Sequence, residues 1–277
     1  METKHFLFLS ILILFAISCK SPEKKLSLEE ILIQRIDSLN KLGFNLTDYH
    51  AHLKGGLTME QVLEHSAKTG IKYGVAVNGG LGFPVHSDTA LSEYYRGMHK
   101  YPVFHGLQAE GREWVNLFSK DSITLFDYTF TDAMTFTDAK ARRMRLWIKE
   151  ETFVDDKQEF MDYLVTQIET IFSTEKVNIY VNPTFLPDTL KNEYNELWTP
   201  ERIQRVVTVL KNNNIAMEIN SRFKIPSADF ILAAKNAGVK FTMGTNNSDT
   251  ELGYLEYGIE MINACGLKPE DFWQCDK

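Results

Sequence analysis

Asp48-Tyr49-His50-Ala51-His52 closes a run of apolar and β-branched residues that starts at Phe44, and a Gly55-Gly56 loop follows. A strand sends alternate side chains to opposite faces, so this spacing places Asp48, His50 and His52 on one face at a strand's C-terminal end. Six further short runs share the pattern, at 72–78, 103–110, 125–132, 177–182, 216–220 and 240–246, most of them ending in polar residues. Stretches of helical period lie between most of them. Residues 58–69 open with Thr58 and Gln61 as a capping box, and 156–172 carry Phe160, Tyr163, Leu164, Ile168 and Phe172 on or near one face. Residues 199–213 begin Thr199-Pro200-Glu201, an N-cap followed by proline at N1, and 227–236 and 251–265 complete the set. Strands alternating with helices imply a parallel sheet. With no linker between the units, the prediction is a single-domain α/β fold, a distorted TIM-like (β/α)7 barrel over residues 43–277. The link at 87–101 is loosely periodic. Residues 131–152, rich in Lys140, Arg142, Arg143, Arg145 and Lys149, read as a solvated helix face.

The chain has 277 residues, 44% of them hydrophobic, and a net charge of −7. That composition fits a globular protein with no cationic surplus for a phosphate backbone, so nucleic acid is not an expected partner. Three cysteines, Cys19, Cys265 and Cys275, are too few for a disulfide scaffold or a cysteine-rich zinc module. Cys265 and Cys275 can pair or stay thiols. Residues 1–18 read as a signal peptide, with Lys4 near the start and an apolar run at 6–17 broken by Ser10. That run is shorter than the roughly 20 residues a membrane-spanning helix needs. Ala16-Ile17-Ser18-Cys19 resembles a bacterial lipoprotein lipobox, which implies that Cys19 is acylated and becomes the first mature residue. Residues 19–42 are then a polar tether and an N-terminal helix. The expected location is extracytoplasmic, on a bacterial membrane, at the periplasmic side or the cell surface.

Chemistry in such barrels collects where strands end. Two imidazoles on one strand face can chelate a divalent ion, with Asp48 as a further ligand or as the group that orients a histidine. Strand three ends with Gln108 and Glu110 on one face, and His105 on the other; strand four ends at Asp132. The expected metal set is therefore Asp48, His50, His52, Glu110 and Asp132, with Glu110 or Asp132 as catalytic base. Lys54, Arg112 and Arg222, just past strand ends, are placed to neutralise an anionic small-molecule substrate. Asn182, Glu218, Asn220, Asn246 and Asn247 complete the expected substrate contacts.

Over most of residues 44–273 the chain resembles the PHP (polymerase and histidinol phosphatase) family of metal-dependent phosphoesterases. Asp48-Tyr-His-Ala-His52 opens the match. It continues through Gly106-Leu-Gln108, where the family has Gly-x-Glu, and Val177-Asn-Ile-Tyr-Val-Asn-Pro183, where it has a strand ending His-Pro. Met217-Glu-Ile-Asn220, Gly244-Thr-Asn-Asn-Ser248 and Gly266-Leu-Lys-Pro269 extend it. The resemblance implies a seven-stranded barrel, a multinuclear site of Zn²⁺, Mn²⁺ or Fe, and hydrolysis of a phosphate ester. The sequence also departs from the pattern. No histidine follows His105, so later family ligands stand here as Asn182, Asn246 and Ser248, and the strand-two motif as Val77-Asn78-Gly79. Carboxamides are poor ligands for such ions, which reduces the expectation to one ion, or two at most.

Three functions follow. The first is a metal-dependent hydrolase with a reduced site, Zn or Mn lowering the pKa of bound water. The second is a metal-free glycosidase-like barrel using Asp132 and Glu218. The third is an inactive barrel binding a carbohydrate or other small ligand through its amides, with Trp114, Trp147 and Tyr128 nearby. The missing late histidines weigh against the wider amidohydrolase superfamily.

Overall fold

Local signals in the sequence become helix ends in the structure, a computed structural model that describes residues 26–276. Ser27 and Glu30 form a capping box that starts α1 (Leu28–Lys41). β1 (Thr47–Ala51) leads to α2 (Met59–Thr69), capped by Thr58 and Gln61 and stopped by the left-handed Gly70. β2 (Lys72–Gly80), α3 (Asp88–Met98) and β3 (Phe104–Glu110) follow, then the short α4 (Trp114–Leu117) and α5 (Lys120–Ile123), and β4 (Tyr128–Thr131). β5 (Thr135–Thr137) and β6 (Arg143–Arg145) precede α6 (Lys157–Thr174), β7 (Ile179–Tyr180), α7 (Tyr194–Leu197) and α8 (Pro200–Asn212). β8 (Ala216–Asn220), α9 (Ala228–Ala237), β9 (Phe241–Gly244) and α10 (Glu256–Ala264) complete the chain.

The strands close a parallel barrel in the order β1-β2-β3-β4-β7-β8-β9, with β9 pairing back onto β1 through Met243 and Asp48. This is the single-domain TIM-like barrel that the alternation predicts. Inside it, glycine makes room for an aromatic floor. A Cβ on Gly106 would sit 2.6 Å from the Tyr128 ring, and Tyr128 donates a 2.6 Å hydrogen bond to the Tyr49 carbonyl. Phe130 stacks above Tyr128 at 5.6 Å. The C-terminal tail shuts the opposite end, where the Trp273 N–H donates to the Phe241 carbonyl and its ring packs 5.2 Å from Tyr49. Outside, α6, α8, α9 and α10 bury Phe160, Leu164, Ile168, Val206, Leu210, Phe230 and Ile259 against the strands.

Two expectations are corrected. Residues 131–152 contain no solvated helix face; β5 and β6 form an antiparallel hairpin. Phe136, Met144 and Leu146 are buried at strand-like spacing, and the intervening cations hid that period. Arg142 turns to Asp138 and Asp155, and Arg145 to Glu151. The second correction concerns β1. Asp48 pairs with Tyr73, but Ala51 pairs with Val75, so β1 carries one extra residue. This bulge breaks the two-residue period. Asp48 lies against Tyr73 and Met243 of the outer core, off the face of His50 and His52.

Cys265 and Cys275 do not pair with each other: the Cys265 thiol lies 3.7 Å from the Ala228 carbonyl and the Cys275 thiol 3.6 Å from the Asp127 carbonyl. The signal peptide, Cys19 and the tether to residue 25 lie outside the described residues. No helix among the described residues is long and apolar enough to cross a membrane.

Candidate functional site

A cleft of about 1680 Å³ opens at the C-terminal mouth of the barrel. His52, Lys54, Asn78, Gln108, Glu110, Asp132, Asn182, Arg222 and Asn246 all line it. Strand ends from several strands thus meet at one cleft, but Asp48, His50 and Glu218, expected in the same cavity, do not line it. Asn182 and Asn246 each hold a positive φ of 46° just past a strand, a conformation that asparagine tolerates better than most residues. Their amides meet there. Asn246 and Asn220 both donate to the Asn182 carboxamide oxygen at 3.1 Å.

Beneath the cleft floor His50 and Glu218 are fully buried. His50 Nδ1 lies 2.7 Å from Glu218 Oε1, and His50 Nε2 lies 3.2 Å from the Gln108 carboxamide oxygen. The other Glu218 oxygen accepts from the Asn182 backbone N–H at 2.6 Å and from the Asn220 amide at 3.0 Å. Gly244 has no side chain because a Cβ there would overlap this carboxylate. Glu218 is therefore a structural acceptor. It does not line the cleft, which removes the Asp132–Glu218 glycosidase pair. Asn220 is likewise buried, and caps the Phe223 N–H instead of facing a substrate.

His52 is set differently. Its Nδ1–H donates to the Ala76 carbonyl at 3.0 Å, and its Nε2 is buried without a hydrogen-bond partner. Burial holds the ring neutral, its pKa well below the ordinary imidazole range, and the neighbouring His50 and Lys54 charges push the same way. Asn247 fixes the His52 backbone, accepting from its N–H at 2.7 Å and donating to its carbonyl at 2.9 Å. That role is positional, one step behind the cleft wall.

Glu110 and Asp132 form the titratable centre. Glu110 is pushed up from 4.5 to about 7, by burial first and by the Asp132 charge second, while a hydrogen bond from the Asn78 amide and the Lys54 charge pull it down. Burial also raises Asp132, opposed by the Met134 N–H at 2.9 Å, Arg112 and the Asn182 amide. Two like charges at one buried place resist full ionisation, so the pair favours holding one proton.

The cations divide. Lys54 and Arg222 line the cleft; Arg222 donates to the Asn246 carbonyl at 2.8 Å and lies over the Phe223 ring. Arg112 points away from the cleft, binding Glu175 at 3.1 Å and Thr131 at 2.8 Å, so it braces the wall behind Asp132. Trp114 donates to that same Glu175, and Tyr128 belongs to the barrel floor; of the three aromatic candidates Trp147 alone lines the cleft. His105 faces the outer side against Tyr95, as its spacing indicates. The rim also includes Arg145, Lys149 and Lys224, and the edge-to-face pair Phe185 and Phe223 at 5.1 Å. That pair had a signal in the sequence: each phenylalanine stands three residues after a strand-end asparagine, Asn182 and Asn220.

The donors do not fit the ion cluster that the resemblance implies. Both Asp48 oxygens are occupied by the His50 N–H, the Thr245 N–H and the Thr245 hydroxyl. Both His50 nitrogens are occupied, and asparagine stands at two of the cleft's strand ends. Among the described residues no three His, Cys, Asp or Glu side chains are placed to hold a metal ion. The expected set of Asp48, His50, His52, Glu110 and Asp132 is thus split between three environments by the β1 bulge and the Glu218 contact.

No protein-family model matches the chain, and no curated protein does. Among solved structures, the histidinol phosphate phosphatase of Lactococcus lactis subsp. lactis, complexed with zinc, L-histidinol and phosphate, superposes with a TM-score of 0.57. The two share 16% identity over 80% of this chain and 94% of that one. Orotidine 5′-phosphate decarboxylase from Pyrococcus horikoshii is a more distant likeness, with a TM-score of 0.36 and 11% identity over 74% of this chain and 80% of that one. The first likeness is one of fold: the barrel is PHP-like.

Proposed function

We propose that this PHP-like barrel is a hydrolase of small anionic esters, phosphate monoesters foremost, in which Glu110 and Asp132 move the protons. The observation that carries this reading is the buried carboxyl pair on the cleft floor with Glu110 held near neutrality. Asp132 takes a proton from the attacking water, its charge supported by the Met134 N–H and by Arg112 behind it. Glu110, still protonated near pH 7, gives its proton to the leaving oxygen. Lys54 and Arg222 meet the anionic group of the substrate at the cleft wall. In the resembling family a divalent ion, zinc or manganese, supplies hydroxide; the donor set here does not fit that cluster, and no step is assigned to it. The phosphatase neighbour, with its phosphate and histidinol ligands, makes small phosphate esters the natural first substrates. The lipid anchor on Cys19 belongs to the same proposal and puts this chemistry outside the cytoplasm.

The test is turnover of p-nitrophenyl phosphate and L-histidinol phosphate by wild type, Glu110→Gln and Asp132→Asn. Each substitution should lower kcat by about 10²–10⁴-fold, the usual contribution of a positioned acid or base. Variants as active as wild type would overturn the assignment. A second reading, an inactive barrel that binds a sugar, draws on the joined cleft amides of Asn182 and Asn246 and on the exposed Trp147. Saturable binding of a sugar with no turnover of any ester would favour it.

A further inference from the structure

α1 exposes more large apolar side chains than any other element described. Leu28 is 88% exposed, Leu42 at its C-terminal end 69%, Ile31 48%, and Leu26 just ahead of the helix 40%. At roughly 100° per residue, Leu28, Ile31 and Leu42 fall within an arc of about 60° that also contains Arg35. Buried Leu39 borders this arc and buried Ile36 lies further round on the same side, and together they hold the helix on the barrel. The acidic residues Glu29, Glu30 and Asp37 lie on the other side, where Glu29 pairs with Lys68 and Asp37 with Lys41. The arc is thus apolar with one cation and no acid.

The chain that precedes the helix indicates what covers it. From Cys19 the sequence runs through Lys20, Lys24 and Lys25 to Leu26. Even fully extended at ~3.5 Å per residue, that stretch keeps Leu26 within about 25 Å of a lipid on Cys19. The three lysines are drawn to anionic headgroups, and Arg35 can lay its stem on apolar surface with its guanidinium at the phosphates. We propose that the outer arc of α1, Leu28, Ile31, Arg35 and Leu42, lies on the surface of the membrane to which Cys19 is anchored. The bilayer is its partner, and the helix as well as the lipid then holds the barrel. This inference rests on the lipid anchor proposed above and is independent of the hydrolase chemistry.

The test uses the full-length acylated protein in vesicles of phosphatidylethanolamine and phosphatidylglycerol, with and without acyl chains brominated to quench indole emission. L28W and I31W are compared with L232W, an exposed position on α9, and wild-type emission is subtracted to remove the four native tryptophans. L28W and I31W should shift to the blue on reconstitution and lose most of their added emission to the brominated lipid, with L232W unaffected. Emission from L28W and I31W that stays like that of L232W overturns the proposal. So does a blue shift without bromine quenching, which would mean a second copy or residues 19–25 on this face. Mass spectrometry that finds Cys19 unacylated also overturns it.

Discussion

Replacing Glu110 by glutamine should change how stability depends on pH. The folded protein holds the Glu110 proton up to about pH 7, against 4.5 for an ordinary glutamate. Between those values the folded state binds more protons than the unfolded one, so this group's contribution to stability is complete below about 4.5 and is lost as pH rises through 7. A rise of that size, from 4.5 to about 7, corresponds to about 3 kcal/mol. The cause is burial and the nearby Asp132 charge, so Glu110→Gln removes both the buried charge and the repulsion it exerts. The glutamine keeps an oxygen for the Asn78 amide. Urea denaturation of both proteins at pH 5 and pH 8, at one ionic strength, measures the effect. Relative to Glu110→Gln, wild type should lose about 2.5 kcal/mol between the two pH values, since a small part of the effect lies below pH 5. Equal pH dependence in the two proteins would refute the account of the pair.

Glu218→Ala should destabilise the fold by about 3–5 kcal/mol, because it strips a buried acceptor from His50 Nδ1, the Asn182 N–H and the Asn220 amide; denaturant midpoints check this. Lys54→Met and Arg222→Met should each raise KM for p-nitrophenyl phosphate by about 10–100-fold, the worth of one charge-assisted contact, with kcat less affected. Steady-state kinetics separates the two parameters.

The barrel was legible because each unit carries its own signal. Thr58 with Gln61 and Thr199 with Pro200 mark helix starts at the positions where the structure begins α2 and α8. Strand-end polar residues marked the cleft for the same reason: a parallel barrel gathers one end of every strand. One failure depended on a single residue of register. The bulge in β1 moves Asp48 to the outer side, and no composition signal announces it. Glu218 and Asn220 end a strand as a site residue would, but the left-handed turn at Asn182 aims a backbone N–H at Glu218 and closes it off from the cleft. The β5–β6 hairpin was hidden because arginines that serve Asp138, Asp155 and Glu151 dominate its sequence. Arg112 sits one turn past strand three yet finds Glu175, sixty-three residues on, a partner no local pattern identifies.

The central claim is that the carboxyl pair, without an ion cluster, carries the hydrolysis. Its most direct test is the pH profile of p-nitrophenyl phosphate turnover by the wild-type protein after exhaustive dialysis against EDTA. Turnover should persist, with an upper limb that falls through about pH 7 as Glu110 loses its proton. Turnover that vanishes on dialysis and returns with added Zn²⁺ or Mn²⁺ would contradict the claim.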